Sequence, residues 1–134
     1  MGASGVSLFE DDSALDMLAE YEHSGAAVVA RALDTANATP VTDDLDRDAG
    51  AAARAAAEIV AVALGDLPDA ITQDQLARLN AHGTDVRALP DIKSRAKAAV
   101  NRIISDNSEL HELWMEGDQS AWVAAINDLQ RRLG

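Results

Sequence analysis

The chain contains no cysteine, which excludes disulfides, thiolate-held metals and cysteine nucleophiles and makes the cytoplasm the expected compartment. Aromatic residues are nearly as scarce: Phe9, Tyr21, Trp114 and Trp122 are all there are. A core built on large interlocking rings is therefore out of reach. No apolar run approaches the roughly 20 residues needed to cross a bilayer, and the N-terminus lacks a basic start followed by an apolar stretch. A soluble, unexported protein without a membrane partner is expected. Basic side chains are few, with 11 Lys and Arg against 23 Asp and Glu, for a net charge of −12. Such a field repels phosphate backbones, so nucleic-acid binding is not expected, and it speeds encounter with basic proteins.

What the sequence has in abundance is alanine, 28 residues of it. At 134 residues the chain fits one helical domain spanning 1–134, which buries roughly two-thirds of its unfolded surface. The densest stretch, from Ala49 to Leu64, is helical in pattern, and its small side chains let neighbouring helices come close to its backbone. This predicts an all-α fold, a compact bundle of six or seven helices around a central helix over about 43–64. No segment shows the alternation of a half-buried strand.

Residues 1–10 read as an extended, glycine-containing lead, with Leu8 and Phe9 placed like a hydrophobic staple. Asp11, Asp12 and Ser13 offer alternative caps for a first helix carrying Ala14, Leu15, Leu18 and Tyr21. Gly25 interrupts it, and a second helix brings Val29, Ala32, Leu33 and Ala36 to one side. After a loop at 37–42, the central helix runs to Leu64, stopped by Gly65 and Pro68. Arg47, Arg54 and Glu58 mark its wetter side, where Arg54 and Glu58 can pair at i, i+4. Thr72 and Gln75 are in capping-box spacing for a helix over about 73–82 that ends at Gly83. A loop closing at Pro90 leads to a helix over about 91–106 with Ile92, Ala96, Ala99, Val100 and Ile103 inward and Lys93, Arg95, Lys97 and Arg102 outward. Ser108 caps a brief helix carrying Leu110, Leu113 and Trp114. Asp118 opens the last helix, with Trp122, Ala125, Ile126, Leu129 and Leu133 inward.

The charge is unevenly spread: residues 1–67 hold 13 acids and 3 bases, residues 68–134 hold 10 acids and 8 bases. The acidic surface is built mainly by Glu10, Asp11, Asp12, Asp16, Asp43, Asp44, Asp46 and Asp48, and these are the candidate partner-binding residues. Asp44, Asp46 and Asp48 occupy the first, third and fifth positions of a calcium loop. The frame then fails, with Ala49 where glycine must turn the chain and Ala55 where a bidentate glutamate belongs. Acids in a first helical turn are accounted for by the helix dipole. Glu10, Asp11, Asp12 and Asp16 could share a divalent ion, but capping explains two of them and no histidine accompanies them.

His23, His82 and His111 are scattered. A zinc-protease pattern around His111 would need a second histidine where Met115 stands, so His111 is expected at the surface near Glu112 or Asp118. No Gly-x-Ser-x-Gly elbow precedes a serine, and Gly2-Ala3-Ser4-Gly5 lacks the lysine of a phosphate loop. No catalytic residue, metal ligand or cofactor is assigned. The residues favour a small acidic binding or regulatory protein, immunity or antitoxin-like, that docks a basic protein partner. A divalent-metal hydrolase on Asp11, Asp12 and Asp16 and a structural homodimer are the alternatives, and the chain is expected as a monomer or homodimer.

Several strings together carry a resemblance. They are Met1-Gly2-Ala3-Ser4-Gly5 leading to Phe9-Glu10-Asp11-Asp12-Ser13-Ala14-Leu15-Asp16, the Ala55-Ala56-Ala57-Glu58-Ile59-Val60-Ala61 helix ending in Gly65, and Ser108-Glu109-Leu110-His111-Glu112-Leu113-Trp114 followed by Trp122 and Arg132-Leu133. In this order they resemble a bacterial family, the domain of unknown function 4259. The resemblance implies a small, stand-alone helical protein and brings no activity with it. Members of that family usually open Met-Gly-Ala-Trp-Gly. Here Ser4 replaces the tryptophan, so a lead anchored by that ring would be looser in this chain.

Overall fold

The computed structural model describes residues 7–117 and 119–134. The Ser4 position and the proposed opening of the last helix at Asp118 lie outside the described residues. Within them a 3-10 turn, Leu8–Glu10, precedes eight α-helices: α1 Asp12–Ser24, α2 Ala26–Ala38, α3 Arg47–Ala63, α4 Gln73–Leu79, α5 Gly83–Arg87, α6 Ile92–Ile103, α7 Glu109–Met115 and α8 Gln119–Leu133. The fold is all-α, and no strand occurs among the described residues.

The alanine-rich α3 is central in a literal sense, for it touches every other element, including the 3-10 turn. Every residue from Ala53 to Ala63 is buried, as are Gly50 and Ala51. Methyl side chains on all sides permit this, because the distance between packed helices is set by the side chains at the contact. Gly50 takes the principle furthest. A Cβ there would come within 3.3 Å of Leu110 Cβ, so its absence lets α7 cross close to the start of α3.

The termini of the helices follow capping chemistry. Asp11 caps α1, its Oδ1 accepting from the amides of Ser13 and Ala14 at 2.9 and 3.2 Å. Thr72 and Gln75 form the reciprocal capping box of α4, and Ser108 caps α7. After α3, Gly65 adopts a φ of 94°. Its amide and that of Asp66 return to the carbonyls of Val62 and Ala61, each at 2.9 Å. This is a Schellman stop that needs a residue tolerant of positive φ.

Four features differ from the sequence expectation. The central helix begins at Arg47 rather than near Asp43, because Leu45 pairs its amide and carbonyl with Asn107 and Glu109 at 2.8 and 3.0 Å. That short parallel bridge holds the chain extended until Asp46 caps α3 through the Ala49 amide. The lead is not extended throughout: Ser7 Oγ accepts from the Phe9 amide and winds Leu8–Glu10 into a 3-10 turn. Ser13, one alternative cap, instead donates to Asp48 Oδ1. Finally, the segment after Gly83 is a helix rather than a loop. Gly83 starts α5 instead of only ending α4, and Val86 fixes it in the core with no exposure.

Tyr21 ties this region down. Fully buried on α1, its hydroxyl donates to the Leu79 carbonyl at 3.0 Å and accepts from the His82 amide at 2.8 Å. Burial pushes the phenol above its ordinary pKa. At the other end Trp122, also fully buried, stacks on Trp114 with ring centroids 5.9 Å apart. The tryptophans of α7 and α8 thus close one side of the bundle.

Candidate functional site

Two regions concentrate polar chemistry. One is the acidic face that the sequence singles out. Ser13 Oγ donates to Asp48 Oδ1 at 2.6 Å, and this bond joins the N-terminal ends of α1 and α3 across 35 positions of sequence. It sets the start of α1, with Asp11 and Asp12, against the start of α3, with Asp46 and Asp48. Asp43 and Asp44 precede them in the same exposed approach to α3. Three of the eight candidate acids have structural duties: Asp11 and Asp46 cap helices, and Asp48 holds Ser13. Side chains of Glu10, Asp12, Asp16, Asp43 and Asp44 are exposed. Arg47 is the base within this set, 3.8 Å from Asp48.

Asp16 also lines a groove of about 300 Å³ among α1, α2 and α3. Its rim carries Asp16 and Glu20, and its floor is Met17, Val28, Ala32, Ala49 and Ala52. Arg31 spans one side, 3.6 Å from Glu20. Among the described residues no three His, Asp or Glu side chains converge as a metal centre requires.

The second region was missed by sequence reasoning. Arg54 and Glu58, expected on the wetter side of the central helix, are only 7% and 5% exposed. Their burial follows from position, because α8 packs over that side of α3 and supplies a counter-charge. Arg132 Nη2 donates to Glu58 Oε1 at 3.1 Å and lies 3.0 Å from Oε2, while its Nε donates to Asp128 Oδ2 at 2.7 Å. Arg131 also engages Asp128. Arg54 reaches Glu58 only at 3.9 Å and lies over the Trp122 ring, 5.9 Å from its centroid. Two charged residues inside an otherwise alanine-and-aliphatic helix were the signal: charge on a segment with no solvent side has to be paired.

The electrostatics follow. Burial pulls Arg54 below the ordinary guanidinium pKa, partly countered by Glu58. Burial opposes ionisation of Arg132 too, but Glu58 and the hydrogen bond that Arg132 donates to Asp128 outweigh it and hold the proton more tightly. For Asp128, burial alone would raise the pKa, yet the hydrogen bonds from Arg132 and Arg131 win and lower it.

Two further side chains stand elsewhere than expected. Arg102, assigned to an outward basic stripe, is 7% exposed. Its guanidinium donates to the carbonyls of Thr39, Pro40, Asp43, Asp106 and Asn107. It turns inward to carbonyls clustered on two loops; those of Pro40 and Asn107 also accept from the Asp43 and Leu45 amides, and the guanidinium takes up acceptor capacity the backbone leaves open. Its neighbour Arg95 pairs with Asp34 at 2.9 Å, while Lys93 and Lys97 are exposed. His111 is half-buried rather than on the surface. Its Nδ1 accepts from Trp122 Nε1 at 2.9 Å, a bond that gives the buried indole its partner.

No helix among the described residues is long and apolar enough to cross a membrane. No curated protein and no solved structure matches the chain. The model of one family, a domain of unknown function designated DUF4259, matches residues 2–125 of 134, and the chain belongs to that family.

Proposed function

We propose that this chain is a small acidic binding protein of the bacterial cytoplasm, working as one helical domain, whose α1–α3 face docks a basic protein partner in the manner of an immunity or antitoxin protein. The observation that carries this reading is the Ser13–Asp48 hydrogen bond of 2.6 Å. It joins the acidic start of α1 to the acidic start of α3, and this supports reading the two as one docking face. The groove beside that surface adds chemistry suited to a lysine or arginine side chain. Asp16 on the rim, beside the Glu20 that Arg31 already engages, is placed to face the cation, and the Met17, Val28 and Ala32 floor to receive its alkyl stem. Opposed charge raises the rate of encounter and selects among partners.

The test is capture from the native host with the wild-type chain and with a triple variant, Asp12→Asn, Asp16→Asn and Glu20→Gln. None of these three carboxylates caps a helix. The reading expects a retained protein of basic pI that the variant fails to hold and that elutes as salt shortens the Debye length below about 10 Å. Equal retention by the variant, or retained proteins no more basic than the lysate, refutes it.

A further inference from the structure

We propose that the cleft bounded by the Ser7–Phe9 turn, α4 and α8 is a binding site for a small monocarboxylate with an apolar tail, and that Arg54 receives the carboxylate. This site shares no lining residue with the groove beside Asp16, and it does not depend on the partner-docking reading.

The inference begins with an incomplete ion network. Arg54 lines the cleft and is 7% exposed. Its buried Nε meets no hydrogen-bond partner among the described residues, and neither does Arg132 Nη1, on another side chain lining the same cleft. The two buried or half-buried carboxylates of the network, Glu58 and Asp128, are engaged by other arginines. Both oxygens of Glu58 lie within 3.1 Å of Arg132 Nη2, and Asp128 serves Arg131 and Arg132. Arg54 is left with Glu58 at 3.9 Å, beyond hydrogen-bonding reach. The cleft thus holds two buried guanidinium groups, each with one donor nitrogen unmet, and it is these unmet donors that an acceptor on a ligand would engage. Burial lowers the pKa of Arg54, the signature of a cation short of compensation.

The cleft selects the class of anion. Its volume is about 330 Å³, within the range of small-molecule sites, roughly 300–1,000 Å³. Leu8, Phe9, Ile71, Leu79 and Ala125 supply an apolar wall, suited to a short alkyl chain or a single ring. The exposed Asp69 stands at the cleft as well. A carboxylate offers acceptors to the unmet Arg54 and Arg132 donors at the cost of a single negative charge, whereas a phosphate dianion brings twice that charge against Asp69, Glu58 and Asp128. The planar carboxylate also fits the guanidinium fork.

The test titrates the full-length protein with hexanoate and 3-phenylpropanoate, with hexan-1-ol and inorganic phosphate as comparators, following the Nε–H resonance of Arg54 and the indole resonance of Trp122 by NMR. Saturable binding of the carboxylates with both resonances moving, and weak or no response to the comparators, is expected. Arg54→Met keeps the alkyl stem and removes the fork, so it should weaken carboxylate binding by at least about tenfold. Arg54→Lys should fall between. Hexan-1-ol binding as well as hexanoate overturns the proposal in the wild-type protein alone, whether or not the variants fold. So does the absence of carboxylate binding up to millimolar concentration, or a folded Arg54→Met that binds undiminished.

Discussion

Replacing Arg102 by methionine removes one guanidinium and unties two loops at once. Arg102 donates to Thr39, Pro40 and Asp43 on the approach to α3 and to Asp106 and Asn107 on the approach to α7. A hydrogen bond involving a charged group contributes about 1.5–3 kcal/mol net, but the five do not add, because exposed carbonyls regain water when the donor leaves. The substitution leaves neutral carbonyls and no stranded charge, which costs about 1–3 kcal/mol. With an unfolding entropy near 2.1 cal/mol/K per residue, a chain of 134 residues loses roughly 4–11 °C in Tm for that cost. Methionine preserves the alkyl packing, so the loss reports on the fork. Thermal and urea melts followed by circular dichroism measure it, with Arg102→Lys as the second variant. One ammonium reaches one loop but not both, so lysine should recover less than half of the loss. Hydrogen exchange should rise at 39–46 and 104–109 ahead of the rest of the chain. A methionine variant melting within about 3 °C of wild type, or a lysine variant equal to it, refutes the reasoning.

Other outcomes follow from the same physics. Thr72→Ala removes the exposed capping box of α4 and should cost about 1 kcal/mol in a urea melt without changing helix content elsewhere. Glu58→Gln leaves the Arg54 and Arg132 guanidiniums facing each other without their shared counter-charge, and should destabilise by about 3–5 kcal/mol. The pair Arg54→Met with Glu58→Met should cost less than Glu58→Gln alone. Asp128 has a depressed folded pKa, so the unfolded chain takes up that proton first. Its contribution is intact above the ordinary carboxylate pKa of about 4 and is lost as pH falls through the lowered folded value. Asp128→Asn should therefore flatten the acid limb of a stability-against-pH curve, and an unchanged limb would count against the Arg132–Asp128 bond.

The fold was legible where local chemistry and helical period agree. The Ala49–Leu64 pattern, the Gly65 stop, the Thr72–Gln75 box and the inward face of α6 needed nothing beyond the chain itself. Elements whose form depends on distant partners were not legible. Leu45 reads as the first apolar residue of a helix, and only the Asn107 and Glu109 backbone, more than 60 positions away, makes it extended. Gly83 reads as a stop, and only the burial of Val86 makes a helix after it. The acidic face was visible as composition, but its closure through Ser13 and Asp48 was not, since Ser13 looked like a cap. The arginines were hardest. Arg54 and Arg102 look like solvated charges in sequence, yet Arg54 lies buried over Trp122 of α8 and Arg102 is buried against the carbonyls of two loops.

The whole account rests on α3 being packed on all sides at the distance an alanine methyl allows. Ala56→Leu tests this most directly, measured by urea denaturation beside Ala124→Leu on the exposed face of α8. Ala56 has no exposure, so three added carbons must displace a neighbouring helix, and the account predicts a loss of about 1–3 kcal/mol or more. Ala124→Leu should change stability by no more than about 0.5 kcal/mol. An Ala56→Leu protein as stable as wild type, or more stable, would mean that the centre of the molecule has room to spare and would contradict the account.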